Sequence, residues 1–220
     1  MNETANTVRL RITEIFHSLQ GEARTVGWPT VFVRLTGCPL RCQYCDTAYA
    51  FHGGAARSLP EILATVQQYG SRHVTVTGGE PLAQKKGCHA LLQALVDAGH
   101  EVSLETSGAM AIDGIDSRVS RVVDLKTPAS GECRRNLWSN IDLLEGNDQV
   151  KFVICDRADY DWSREVLGNH ALAERCEVLF SPSFGQLSAR ELADWIVADA
   201  LPVRFQVQLH KLLWGDVPGR

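Results

Sequence analysis

The sequence predicts a single α/β domain built as an abridged, partly open (β/α)6-like barrel, and three observations lead there. Alternating apolar runs of about five to eight residues are separated by amphipathic stretches of about a dozen, the pattern of βαβ units around a parallel sheet. The groups best suited to hold ligands fall where those runs end: Cys38, Cys42 and Cys45, then Gly78-Gly79-Glu80-Pro81, Ser107-Gly108, Lys126, Ser181 and His210. In barrels and open α/β sheets alike, that edge is where sites are built. About six such strands are too few for eightfold closure. Two weak helices leave room for a lateral opening or a subunit interface.

In chain order, residues 9–16 alternate well enough for a strand or extended arm, residues 17–22 read as a loop, and Gly27-Trp28-Pro29 turns it. Residues 30–35 form the first buried strand, with the cysteine loop after it. Ser58 and Glu61, three residues apart, make a capping box for a helix that Gly70 ends. Residues 73–77 alternate as a strand running into Gly78-Gly79-Glu80-Pro81. A helix over 87–98 puts Leu91, Leu92, Leu95 and Val96 on one face and closes at Gly99. Residues 101–106 and 118–125 are strands ending at Ser107-Gly108 and Lys126-Thr127-Pro128. A loosely helical 136–144 precedes a strand at 149–154, a short helix at 161–167 and a strand at 177–180 ending in Ser181-Pro182. Ser188 with Glu191 caps an amphipathic helix to residue 200, and 203–209 make a final strand before His210.

The 220 residues, 45% hydrophobic and 22% charged, suffice for a sizeable core in one domain spanning 1–220, with 1–8 a disordered lead and 211–220 a C-terminal tail. A net charge of −4 argues against a nonspecific nucleic-acid binder, and the pairs Lys85-Lys86 and Arg134-Arg135 read as solvated faces. No apolar run approaches the ~18–20 residues of a membrane span, and the N-terminus lacks the basic start and apolar stretch of a signal peptide. A cytoplasmic protein with neither a membrane nor a nucleic-acid partner is expected. Seven cysteines are an odd number without framework spacing, which fits a reducing compartment. Cys88, Cys133, Cys155 and Cys176 read as buried free thiols.

The chemistry is concentrated in the C-x3-C-x2-C loop from Cys38 to Cys45. Soft thiolates select zinc, copper(I) or iron–sulfur clusters, and structural zinc wants four ligands. A zinc knuckle completed by His52 fits no finger spacing. Three thiolates on a cubane leave one iron open to a small molecule, and here the sequence resembles the radical S-adenosylmethionine (SAM) superfamily. Gly78-Gly79-Glu80-Pro81, one βα unit later, is similar to that superfamily's SAM-binding GGE motif.

The resemblance narrows. Phe16-x-Ser18-Leu-Gln-Gly-Glu22, Arg34-Leu-x-Gly-Cys-Pro-Leu-x-Cys-x-Tyr-Cys-Asp-Thr47, Val76-Thr-Gly-Gly-Glu-Pro81, Glu105-Thr-Ser-Gly108 and Gln208-x-His-Lys211 together resemble the 7-carboxy-7-deazaguanine synthase family of queuosine and deazapurine biosynthesis. The resemblance implies a radical SAM barrel, a [4Fe-4S] cluster, SAM, help from Mg2+, a homodimer and a flavodoxin-type reductant. It implies a carbon–nitrogen lyase reaction. A SAM-derived radical takes hydrogen from C6 of 6-carboxy-5,6,7,8-tetrahydropterin, the ring contracts to 7-carboxy-7-deazaguanine, and ammonia leaves.

Carried onto this chain, the family pattern assigns Cys38, Cys42 and Cys45 to the cluster and Thr47 to Mg2+. SAM would meet Tyr44, Asp46, Gly79, Glu80, Ser107, Asp124, Leu125, Lys126, Ser181 and Pro182. The pterin would meet Leu19, Gln20, Gly21, Arg34, Thr77 and His210. On residue type alone, Arg34 suits either a substrate carboxylate or a structural ion pair. Two departures stand out: Asp124-Leu125-Lys126 keeps only the lysine of the family's Ser-Pro-Lys, and Ser181-Pro182 replaces a Gln-Pro. Two rivals share the triad. A glycyl-radical-enzyme activase would act on a protein, and a non-catalytic iron–sulfur electron carrier would leave Gly78-Gly79-Glu80-Pro81 without a purpose.

Overall fold

The computed structural model describes residues 8–215, 217 and 219. Nine strands form one sheet: β1 (Arg9–Leu19), β2 (Pro29–Leu35), β3 (Ala55–Ser58), β4 (His73–Gly78), β5 (Glu101–Thr106), β6 (Ser120–Asp124), β7 (Gln149–Ile154), β8 (Glu177–Pro182) and β9 (Arg204–Phe205). Their spatial order is β3-β1-β2-β4-β5-β6-β7-β8-β9. From β2 through β9 every neighbouring pair is parallel, whereas β1 runs antiparallel to both β2 and β3. The sheet ends at β3 and β9 without joining, so the barrel is open on one side, as predicted.

Alternation within the parallel strands separates two environments. Val74, Val76, Val102, Leu104, Val150, Phe152 and Ile154 point to the outer layer, where they form the core with α1 (Leu59–Gln68), α2 (Lys85–Asp97) and α3 (Arg157–Asn169). Thr75, Thr77, Ser103, Glu105 and Lys151 occupy the opposite parity and face the barrel interior, so that interior is polar. Two further helices, α4 (Leu172–Arg175) and α5 (Ala189–Ala198), flank β8, and α6 (Leu209–Trp214) closes the chain. Ser58 forms the capping box: its hydroxyl accepts from the Glu61 amide while the Glu61 carboxylate accepts from the Ser58 amide at 2.7 Å.

Several boundaries differ from expectation. Residues 17–19 continue β1 because their pairing with β2 continues, Leu19 opposite Pro29. Residues 55–58 form an edge strand on β1 despite lacking any apolar alternation. The α3 helix begins earlier, at Arg157, because Asp156 caps it by accepting from the Asp159 amide at 2.9 Å. Ser188 makes no side-chain capping bond to α5. The last strand shrinks to Arg204–Phe205, and residues 209–214 are helical, which places His210 in the first turn of α6. The loosely helical 136–144 is a 3-10 segment, Trp138–Leu143. Of the lead at 1–8, all but Val8 lies outside the described residues. Among the described residues, no helix is long and apolar enough to cross a membrane.

Candidate active site

Cys38, Cys42 and Cys45 line an open cavity that runs through the barrel interior. Their loop is tied down on both flanks. The Leu40 amide donates to Cys38 Sγ (3.4 Å) and the Cys45 amide to the Cys42 carbonyl (3.1 Å). The Gln43 amide reaches the Ser130 carbonyl (3.0 Å) and the Arg41 amide reaches Glu132 (2.5 Å), which fixes the loop to the β6–β7 connection. Burial pushes the Cys42 thiol up to about 11 against the pull of Lys126, and it also raises Cys38. Among the described residues, no three His, Cys, Asp or Glu side chains converge on a point suited to one metal ion. Three thiols lining one cavity are donors of the soft kind that an iron–sulfur cluster takes.

Gly79 explains why that loop lies where it does. A Cβ there would run into the Gly37 carbonyl and stand 2.8 Å from the Cys38 Cβ. Its absence lets the end of β4 lie against the cysteine loop, and the Glu80 amide then donates to the Gly37 carbonyl at 2.7 Å. Glu80 itself is fully buried and does not line the cavity. Its carboxylate accepts from the Leu82 amide (2.8 Å), the Thr106 hydroxyl (3.0 Å), and the Ser107 amide and hydroxyl (2.7 and 2.5 Å). Glu80 thus knots the ends of β4 and β5 and positions Ser107, which does line the cavity.

The other residues assigned to SAM divide in two. Tyr44, Asp46, Asp124 and Lys126 line the cavity, whereas Leu125, Ser181 and Pro182 lie behind it, and Ser183 and Phe184 take the place expected for the latter pair. Lys126 pairs with Asp124 at 2.9 Å, and its ammonium stands 5.7 Å from the centre of the Tyr44 ring. The Tyr44 hydroxyl and Asp124 Oδ1 are buried with no protein partner, which marks a place for ligand or water. Asp46 is held at about 2: burial opposes ionisation, and the hydrogen bond and charge of Lys211 overcome it. The Thr47 hydroxyl donates to Asp46 Oδ1 at 2.8 Å.

Leu19, Gln20, Gly21, Arg34, Thr77 and His210, the residues assigned to the pterin, all line the same cavity. Arg34 joins Glu14 through Nε at 2.7 Å, so its ion-pair reading and its cavity position hold together. Gln20 donates to Thr75 (3.0 Å) and Glu105 (3.2 Å), and the Thr77 hydroxyl donates to Glu105 at 3.1 Å. Burial lowers His210, against the charges of Glu22 and Asp46.

Sequence reasoning missed a charge cluster beneath these groups. Glu22 pairs with Lys151 and accepts from Gln208 at 2.7 Å, and Glu105 lies close enough to feel both charges. Burial would raise Glu22, but Lys151 brings it below the usual carboxylate range. Burial and the Glu22 charge raise Glu105. The detectable signal is a lysine among the otherwise apolar residues 150–154 of β7.

The model of the radical SAM superfamily matches residues 32–169. A 7-carboxy-7-deazaguanine synthase from Chlorobaculum tepidum is 44% identical over 209 residues, covering 94% of each chain. One from Koribacter versatilis is 41% identical, covering 93% of this chain and 97% of its own. Among solved structures, QueE from Escherichia coli superposes with a TM-score of 0.69 over 92% of this chain at 23% identity, a likeness of fold.

Proposed function

Since this chain belongs to the 7-carboxy-7-deazaguanine synthase family of the radical SAM superfamily, we propose that it contracts the ring of 6-carboxy-5,6,7,8-tetrahydropterin to 7-carboxy-7-deazaguanine, releasing ammonia, in queuosine biosynthesis. One observation carries the reading: the three cysteines and all six residues assigned to the pterin line a single cavity. When bound, a [4Fe-4S] cluster on Cys38, Cys42 and Cys45, with SAM against it, supplies one-electron, hydrogen-abstracting chemistry.

The chain's own residues bind and orient. Tyr44, Asp46, Gly79, Ser107, Asp124 and Lys126 would face SAM, with Glu80, Leu125, Ser181 and Pro182 supporting them from behind. Arg34 would give its terminal N–H groups to the pterin carboxylate while Glu14 holds Nε. The carboxylates of Glu22 and Glu105 suit the N–H-rich edge of a pterin. Leu19, Gln20, Gly21, Thr77 and His210 would enclose the ring, which favours a near-attack geometry. The Thr47 hydroxyl keeps lone pairs for Mg2+, an ion that commonly takes one or two protein oxygens and fills its shell from substrate and water. A homodimer, a flavodoxin-type reductant and a cytoplasmic setting complete the proposal; the seven free cysteines suit a reducing compartment.

The test is an anaerobic assay of reconstituted protein with SAM, Mg2+, a low-potential reductant and the carboxypterin, read by mass spectrometry. The expected result is deazaguanine carboxylate over many turnovers, lost in Cys42→Ala, with Mg2+ stimulation lost in Thr47→Ala. SAM cleavage without pterin turnover would overturn the substrate.

A further inference from the structure

Lys211 reaches back from the C-terminal segment to the cysteine loop. Its ammonium pairs with Asp46 Oδ2 at 2.9 Å and stands 5.3 Å from the centre of the Phe184 ring. The side chain is 8% exposed, whereas the next residue, Leu212, is 64% exposed. Lys211 holds one carboxylate oxygen of Asp46 and the Thr47 hydroxyl the other. It lies directly between Cys45, assigned to the cluster, and Thr47.

The three residues before Lys211 hold the part of the cavity wall around Gly21 and Glu22. Gln208 donates to Glu22 at 2.7 Å, and the Leu209 amide donates to the Gly21 carbonyl at 3.0 Å. His210 lies so close to Gly21 that a Cβ there would collide with its ring. A six-residue helix such as α6 is far too short to hold its own conformation, so its place is set by tethers. Ordering a lysine side chain costs conformational entropy, and taking its charge out of water costs more unless it is paired. Asp46 is one such partner.

We propose that Lys211 is a positioning residue whose ion pair with Asp46 couples the cysteine loop to the pterin-facing segment around His210, so that the two segments hold one geometry together. The inference rests on the reading that SAM and pterin meet in this cavity.

The experiment compares the reconstituted holoenzyme with Lys211→Met, which keeps the stem and removes the charge, and with Lys211→Arg. Hydrogen exchange is read at the Leu209 amide and at the Cys45 and Ala50 amides. In Lys211→Met, exchange in both segments should rise about tenfold together, the KM for the carboxypterin should rise by a similar factor with a smaller change in kcat, and Lys211→Arg should restore most of both. Asp46→Asn should loosen the same two segments, and the double variant should be no worse than either single one. Faster exchange at Leu209 with an unchanged cysteine loop would overturn the coupling, as would additive effects in the double variant. Absence of pterin turnover in the unaltered enzyme would instead overturn the substrate reading, and the exchange result would still decide the coupling.

Discussion

Glu105 makes the clearest case for what one inward-facing residue does here. Its two hydrogen-bond donors, Gln20 and Thr77, are neutral, and burial together with the nearby Glu22 charge raises its carboxyl above the usual range. A raised carboxyl binds more protons in the folded state than in the unfolded one. Its contribution therefore costs nothing below the ordinary carboxylate range and becomes destabilising as pH rises through the raised value. Glu105→Gln keeps the shape and removes the charge. The melting temperature of the cluster-free variant should exceed that of the parent at pH ~8 and match it at pH ~4. A gain that is the same at both values would refute the burial account. Glu105 lies within a family motif, yet its charge state is not legible in sequence, because it depends on Glu22, 83 positions earlier. The cysteines are legible for the opposite reason: their spacing is local and their chemistry follows from residue type.

At the scale of elements, local signals succeed where both partners of an interaction are near in sequence and fail where one partner is distant. Ser58 and Ser188 carry the same Ser-x-x-Glu signature, and only Ser58 completes it. Ser58→Ala should lower unfolding stability by about 1 kcal/mol, while Ser188→Ala should change it by no more than a few tenths; urea denaturation of both variants would check this. Equal losses would mean that the Ser188 cap forms after all. The same logic accounts for the edges of the sheet. Strands such as β4 and β7 announce themselves through apolar residues at alternate positions, Val74 and Val76 or Val150, Phe152 and Ile154, but β3 is a short stretch without that alternation, made a strand by its pairing with β1. At the other end, the Gln206 amide still donates to the Phe180 carbonyl of β8, and beyond it the chain turns toward the β1 side: the Gln206 side chain bonds Ala23, Gln208 bonds Glu22, and the Leu209 amide bonds Gly21.

At the scale of the molecule, those bonds answer how an open barrel keeps its interior defined. Among the described residues no strand pairing joins β9 to the β1 side, so side chains and the Leu209–Gly21 backbone bond bridge the gap. Gln206 is the main bridge: its Oε1 accepts from the Ala23 amide at 2.7 Å and its Nε2 donates to the Ala23 carbonyl at 2.9 Å, across 183 positions of sequence. Ala23 meanwhile sits at φ 61°, a left-handed conformation an alanine seldom holds unless its surroundings impose it. Nothing local in Gly21-Glu22-Ala23 signals either fact. Gln206→Ala would leave a buried amide and carbonyl unpaired, at roughly 1–3 kcal/mol each, so a loss of about 2–6 kcal/mol is expected in urea unfolding. The imposed conformation at Ala23 should then be free to relax, and the Ala23 amide should lose protection from hydrogen exchange. Adding Ala23→Gly to the parent chain should cost little, since glycine accepts the left-handed region readily. If Gln206→Ala left both stability and Ala23 exchange unchanged, the open side would have to be held by the other contacts across it, among them Gln208–Glu22, Leu209–Gly21 and Lys211–Asp46.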